Sequence, residues 1–316
     1  MKFASTDAAK LQPPNWLVPG WIGRDHLTLL IGDGDSGKST IATDLAIAIA
    51  SGQSWMGIPT TQSHVIYFDE DGARPDIINR MVAFRVGRNI HHVPLDATLQ
   101  VHPASGLSIE SDADFKEMSI AGAGAGLFIF DAMVAFHGQD ENSAEKMRFI
   151  MRGRFRRLMR ETGAAITLIH HVPGLDENGQ PRDKPRGSTE IKNASDALIM
   201  CKAGNPDHHM YVKRLKFARR ITWADPVSIV LESTEDEARL IASYATKTVA
   251  ATAFLSGCLD VLDLTVDQAT RLLVEGGIQV ARETTWKALS IAQSRARSAK
   301  KNCSPNSPPT ERVSSD

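Results

Sequence analysis

The sequence predicts an α/β protein: a mostly parallel central sheet covered by helices, with a small helical unit after it. Three observations predict this. Short apolar runs alternate with stretches of helical spacing over the first two thirds of the chain. One such run, Leu27–Ile31, passes through a glycine-rich segment directly into one such stretch, residues 38–51. Near residue 245 the apolar runs stop, and three helical stretches follow in succession.

Each element has its own signal. Residues 11–26, with Pro13, Pro14, Trp16, Pro19 and Trp21, read as a lead-in segment packed on a core. Leu27–Ile31 is a buried strand ending at Gly32. Ile41, Leu45, Ala48 and Ile49 mark one face of a helix that stops at Gly52. Val65–Phe68 is a second strand, expected beside the first, and Ile77, Ile78, Met81, Val82 and Phe84 mark a helix over 75–86. Leu127–Phe130 is a strand after the flexible Ala121–Gly126 run. A long helix over 143–162 leads through Gly163 to the strand Ala165–Ile169. Strands at 197–201, 210–217 and 227–231 extend the sheet, with antiparallel pairing expected. Helices at 249–261, 266–275 and 282–297 follow, the second capped by Thr265, and the polar, proline-rich residues 300–316 read as disordered. The expected division is a domain over 1–245, a helical unit over 246–299 and a tail over 300–316.

The chain has 316 residues, with 36 basic and 37 acidic side chains. The balance hides segregation: residues 1–145 carry −9, residues 146–220 carry +10 and residues 221–316 carry −2. A near-neutral total therefore excludes a polybasic protein without excluding an anionic partner. Cys201, Cys258 and Cys303 are scattered, which supports neither a disulfide framework nor a thiolate zinc site. Met1–Lys10 has no apolar run, and no apolar stretch approaches the ~20 residues of a membrane span. The expectation is a cytoplasmic protein with no membrane partner.

Gly32-Asp33-Gly34-Asp35-Ser36-Gly37-Lys38-Ser39 fits the pattern GxxxxGK followed by Ser or Thr, between a strand and a helix. Glycines let backbone N–H groups approach a phosphate, and the helix N-terminus adds partial positive charge. Gly32, Gly34, Ser36, Gly37, Lys38, Ser39 and Thr40 are the candidate nucleotide contacts. Lys38 reaches the β- and γ-phosphates, and Ser39 binds Mg²⁺. Leu127-Phe128-Ile129-Phe130-Asp131 is an apolar strand ending in a carboxylate, the expected second support for Mg²⁺. Asp69, Glu70 and Asp71 end another strand; three adjacent carboxylates repel unless cations balance them. His170 and His171 end a third, where a histidine can bond a γ-phosphate and report its loss to the next loop.

Together the runs NWLVPGWIGRDHLTLLIGDGDSGKST, VIYFDEDGARPDIINRM, LFIFDAMVAF, RETGAAITLIHH and PRGSTEIKNASDALIM resemble the RecA-like P-loop ATPases of the AAA_25 type, including the RepA kind of plasmid hexameric replicative helicase. The similarity covers about residues 15–235. It implies a RecA-like core, ATP and Mg²⁺ as cofactors, and a homo-hexameric ring with ATP between subunits. It also implies Glu70, of the pair Glu70-Asp71, as catalytic base, Arg80 as the following helix arginine, and His170 and His171 as sensor-like residues. The chain departs from the family at Ala132, where Pro, Ser or Thr is common, and at Val172-Pro173-Gly174, where many relatives carry a lysine.

The resemblance also gives the basic segments roles. Residues 172–187, with Arg182, Lys184 and Arg186, correspond to a pore loop facing nucleic acid. The strand around Tyr211–Arg220 corresponds to one that reaches a neighbour's γ-phosphate; Arg214 and Lys216 lead as that cation, then Arg219. The helix over 143–162 carries seven cations and reads as a solvated basic face, or as a subunit or DNA contact. The last helices resemble a helix-turn-helix or winged-helix unit, in which Thr284, Thr285 and Gln293 would meet base edges. The expected function is an ATP-hydrolysing motor on single-stranded or forked DNA, a helicase-type hexamer of a plasmid, phage or other mobile element. A regulatory DNA-binding ATPase and a recombination or repair ATPase are the alternatives.

Overall fold

The structure is a computed structural model. It describes residues 15–174, 184–204, 209–217, 227–234, 236–243, 247–256, 258, 261–275, 278 and 280–302. Strands β1 (Trp16–Val18) and β2 (Ile22–Gly23) form a small antiparallel pair. The other strands form one nine-stranded sheet. In chain order they are β3 (Leu27–Gly32), β4 (Val65–Asp69), β5 (Leu99–Pro103), β6 (Leu127–Asp131), β7 (Ala165–His171), β8 (Ala197–Ala203), β9 (His209–Phe217), β10 (Val227–Ser233) and β11 (Ala238–Ser243). Across the sheet the order is β11-β10-β9-β8-β3-β7-β6-β4-β5. Every pair from β8 to β5 is parallel, and β8 to β11 pair antiparallel. The mostly parallel sheet and its antiparallel extension match the expectation.

One adjacency does not. β4 was expected beside β3, but β7 and β6 lie between them. The chain leaves β3, crosses to β4 and later fills the gap. It then places β8 on the other flank of β3, so the strand order reverses there. Open parallel sheets bind ligands outside the carboxyl ends of their strands at such a reversal.

Alternation sorts the side chains onto two faces. Leu30, Val65, Tyr67, Ile129 and Ile169 belong to one apolar cluster with Ile41 and Leu45 of α1 (Lys38–Ser51) and Ile77, Met81 and Phe84 of α2 (Arg74–Gly87). Leu29, Ile31, Ile66, Phe68, Phe128, Phe130 and Leu168 belong to a second, on the opposite face, with Met147, Ile150, Phe155 and Leu158. Trp16 and Trp21 of the lead-in segment are buried, and Trp21 stands edge-on to Trp55.

The expected long helix comprises α4 (Ala144–Arg148), a π-helical stretch over Phe149–Phe155 and α5 (Arg156–Thr162). Its cations are not a solvated face. Arg152 pairs with Glu190, Arg154 with Asp112, Arg156 with Asp196 and Arg157 with Glu161, so these arginines tie the helix to its own chain. β5, β11, α3 (Asp112–Ala121) and α6 (Thr189–Ala194) carry no clear sequence signal. β5 and β11 sit at the sheet edges, α3 buries two apolar side chains, and α6 is six residues long.

After β11 come α7 (Lys247–Ser256), α8 (Val266–Glu275) and α9 (Arg282–Asn302), which share an apolar cluster of their own including Ala251, Leu255, Leu273 and Leu289. Thr265 caps α8 reciprocally with Gln268, as its sequence suggests. α9 runs through Asn302, past the expected start of the tail at residue 300; residues 303–316 lie outside the described ones.

α1 and α2 are joined by one buried ion pair. The Arg88 guanidinium donates to both oxygens of Asp44, at 2.6 and 2.8 Å, and Asp44 is almost fully buried. Burial raises the Asp44 pKa and Arg88 holds it down. Removing Arg88 strands a buried charge. Arg88→Ala is therefore expected to cost about 3–5 kcal/mol of unfolding free energy in a denaturant titration.

Candidate active site

The phosphate loop follows β3. Gly37 has φ +84, and a Cβ there would collide with the Met210 sulfur; at Gly32 a Cβ would strike the Cys201 carbonyl and the Ser36 hydroxyl. These two glycines let the loop lie close over β8 and β9. At Gly34 the space beside the backbone is open. Asp35 takes the left-handed turn at φ +55. The Asp33 carbonyl gathers the loop, accepting from the Ser36 hydroxyl at 2.8 Å and from the Lys38 ammonium. Cys201 of β8 donates its thiol to the Ser36 carbonyl at 2.6 Å, and burial pushes that thiol up to about 12, so it stays protonated. Lys38 is buried. Burial lowers its pKa, while Cys201, Asp131, Asp71 and Asp33 oppose that. Ser39 and Thr40 lie half-buried in the first turn of α1.

Asp131 ends β6, directly opposite Asp69 of β4 in register, and both carboxylates are buried. The Tyr67 hydroxyl, in the same apolar face, donates to Asp131 Oδ2 at 2.8 Å. Among the described residues, Asp131 Oδ1 is buried without a hydrogen-bond partner. Burial raises the Asp131 pKa to about 6, offset in part by the Ser39 and Tyr67 hydroxyls and reinforced by Asp69 and Asp71. Asp69 Oδ1 accepts from the Asp71 and Gly72 amides and turns the chain after β4; burial raises its pKa too, and Arg80 lowers it. One orphaned carboxylate oxygen in a carboxylate-rich pocket, beside a serine hydroxyl, fits Mg²⁺, which uses few protein oxygens and takes the rest from phosphate and water. Ser39 and Asp131 are the residues that would hold it. Among the described residues, no group of three or more His, Cys, Asp or Glu forms a separate metal site.

Glu70 does not lie free in the pocket. Its Oε1 accepts from the Ser105 amide at 2.5 Å, the Gly106 amide at 3.0 Å and the Ser105 hydroxyl, all in the turn after β5. Asp71 is the member of the triplet whose charge acts on Lys38, Asp131 and His171. The histidines divide by alternation. His171 shares the α1 face with Ile169, is half-buried, and feels Lys38 and Asp71; burial and Lys38 lower its pKa. His170 is fully buried on the opposite face. Its Nε2 lies 3.0 Å from the Arg186 carbonyl and its Nδ1 3.6 Å from Glu141, and burial lowers its pKa.

The basic segments are partly committed elsewhere. Arg186 pairs with Glu141 at 2.7 Å, Lys184 is exposed, and Arg182 lies outside the described residues. Backbone register puts Met210 of β9 opposite Ala203, at the phosphate-loop edge, and Lys216 opposite Leu198, towards the other edge. A bulge separates Arg214 from Lys216 in that register. The side chains of both, and all of Arg219 and Arg220, lie outside the described residues. In the helical unit, Thr285 is buried against the Ala281 carbonyl, and Gln293 donates to the carbonyls of Val261, Leu262 and Leu264. These two side chains are spent on packing, not presented to bases as expected; Thr284 is half-buried.

Tyr67, Cys201, Ser105 and Glu141 were not singled out from sequence. Tyr67 had a signal, as the one hydroxyl in the apolar strand VIYFD; the others are brought in by sheet order and loop packing. The Asp131 shift has a stability consequence. A carboxyl whose pKa rises on folding holds its proton more tightly in the native state, so its contribution falls as pH rises from about 4 to about 6. Asp131→Asn is expected to raise nucleotide-free stability at pH 7 by on the order of 1–3 kcal/mol and to leave it unchanged at pH 4, by thermal melts at both values.

The chain superposes on a solved structure titled as an ATPase domain with TM-score 0.52 and 10% identity, covering 70% of this chain and 86% of that one. It also aligns with the flagellar accessory protein FlaH from Methanocaldococcus jannaschii, at TM-score 0.46 and 16% identity, over 72% of this chain and 92% of that one. Among curated proteins no sequence match is found. Among the described residues, no helix is long and apolar enough to cross a membrane. The AAA_25 model, described as AAA domain, matches residues 2–176, more than half of the chain, with the phosphate loop, Glu70, Asp131 and both histidines inside the match. The chain belongs to the AAA_25 family of AAA domains, built on a RecA-like P-loop ATPase fold.

Proposed function

We propose that this protein is an ATP-hydrolysing, DNA-dependent motor of the helicase type, working as a cytoplasmic homo-hexamer of plasmid or phage replication with ATP between subunits. The observation that carries the hydrolytic part is Asp131, with one oxygen held by Tyr67 and the other left bare beside Ser39. The P-loop amides and Lys38 bind the phosphates; to do so Lys38 exchanges the Asp33 carbonyl for phosphate oxygen. Bound Mg²⁺ supplies charge neutralisation across the β- and γ-phosphates. Glu70 accepts a proton from the attacking water. His171 faces the γ-phosphate. His170, behind it, is joined through the Arg186 carbonyl to the end of the basic loop, which relays the state of the site to single-stranded or forked DNA.

Arg214 and Lys216 are proposed as the cations given to a neighbouring subunit. Their support is the direction of β9, which carries them away from their own phosphate loop. Residues 246–299 are proposed as a second unit that contacts DNA through its exposed cations, such as Arg297, rather than through Thr285 or Gln293.

Glu70→Gln is expected to reduce ATP turnover at least 100-fold with nucleotide binding retained, in a steady-state assay with and without single-stranded DNA. Fork unwinding should be lost in parallel. Unwinding that survives in the variant contradicts the assignment of Glu70, and DNA-stimulated hydrolysis without any unwinding contradicts the motor reading.

A further inference from the structure

β5 is the sheet edge beyond β4, on the side away from β3. The turn after β5 therefore lies across β4 from the phosphate loop, and it holds the Glu70 carboxylate. The turn is built for this contact. The Ala104 amide donates to the Asp69 carbonyl at 2.7 Å, and Ala104 and Gly106 both take left-handed conformations, φ +48 and +68. That geometry aims the Ser105 and Gly106 amides and the Ser105 hydroxyl at one oxygen, Glu70 Oε1. The Glu70 amide is fixed as well, donating to the Asp131 carbonyl at 2.6 Å. Only the Glu70 side chain is left to choose between the two sides of β4.

We infer that Ser105 is a positioning residue that parks Glu70 away from the phosphate loop in the resting chain. The inference rests on Glu70 being the base. The backbone at Glu70 stays where β4 and β6 pin it, and side-chain rotation carries the carboxylate between the turn and the γ-phosphate side. Leaving the turn breaks three hydrogen bonds to a charged group, so the resting population is poor in competent base. DNA or a neighbouring subunit that disturbs the turn after β5 releases Glu70 and raises turnover. Asp71, whose charge already acts on Lys38, keeps the pocket acidic while Glu70 is parked.

The sign of the effect separates parking from simple support. Ser105→Ala removes the hydroxyl donor, and one hydrogen bond to a charged group corresponds to about a tenfold population change. The full chain carrying Ser105→Ala is expected to hydrolyse ATP without DNA about tenfold faster than the wild type, with KM for ATP little changed and a smaller stimulation by single-stranded DNA. Ser105→Thr keeps the hydroxyl and should keep the slow rate. Ser105→Gly is the second variant if Ala fails to fold, and should also be fast. The double variant Ser105→Ala, Glu70→Gln should be as slow as Glu70→Gln alone. A Ser105→Ala rate at or below the wild type, with the fold intact by circular dichroism, overturns the inference. An acceleration that persists in the double variant also overturns it, because the effect then bypasses Glu70. A Glu70→Gln single variant of wild-type rate instead sinks the base assignment itself.

Discussion

Asp69 and Asp131 end neighbouring parallel strands, in register and buried, and the rest of the site answers to that arrangement. Two carboxylates at such a spacing cannot both ionise cheaply in a low-dielectric setting. The chain treats them differently. Asp69 is satisfied by backbone amides of the turn it starts and by the field of Arg80. Asp131 receives one hydroxyl from Tyr67 and keeps one oxygen bare. The imbalance left over is negative and local, and Lys38 alone stands opposite it in the phosphate loop. A cation at the bare oxygen relieves a strain the fold itself creates, so metal affinity and reduced resting stability are two readings of one cause.

Sheet order decides how that edge is used. β7 separates the phosphate loop strand from β6 and β4, which leaves room for phosphates between Lys38 and the carboxylates. It also makes β7 the strand whose tip sits beside Gly32, through His171. Because successive residues point to opposite faces, one histidine of the doublet faces the loop and the other faces Glu141 and the Arg186 carbonyl. The doublet is thus a two-sided contact, with nucleotide on one side and the root of the basic loop on the other.

The parallel core was legible because its strands are buried on both faces and read as continuous apolar runs, as in Leu27–Ile31 and Leu127–Phe130. The phosphate loop was legible because its glycines and lysine stand at fixed spacing between a strand and a helix. β5, β11 and α3 were not, since edge elements bury few side chains and leave a weak period. Spatial adjacency was least legible. No local pattern shows that β4 lies three places from β3, that Ser105 meets Glu70, or that Gln293 closes the α7–α8 connection. Charge runs misled for a related reason: the arginines of 152–157 look free in sequence and find acids on α3, α6 and their flanks once folded.

The central claim is that the edge formed by Lys38, Ser39 and Asp131 is a magnesium–nucleotide site. Its most direct test is equilibrium titration of a fluorescent ADP analogue with and without Mg²⁺, for the wild type and for Lys38→Ala and Asp131→Asn. The account predicts saturable, Mg²⁺-enhanced binding to the wild type, binding lost in Lys38→Ala, and binding that no longer responds to Mg²⁺ in Asp131→Asn. Binding of equal strength in all three proteins, indifferent to Mg²⁺, would contradict it.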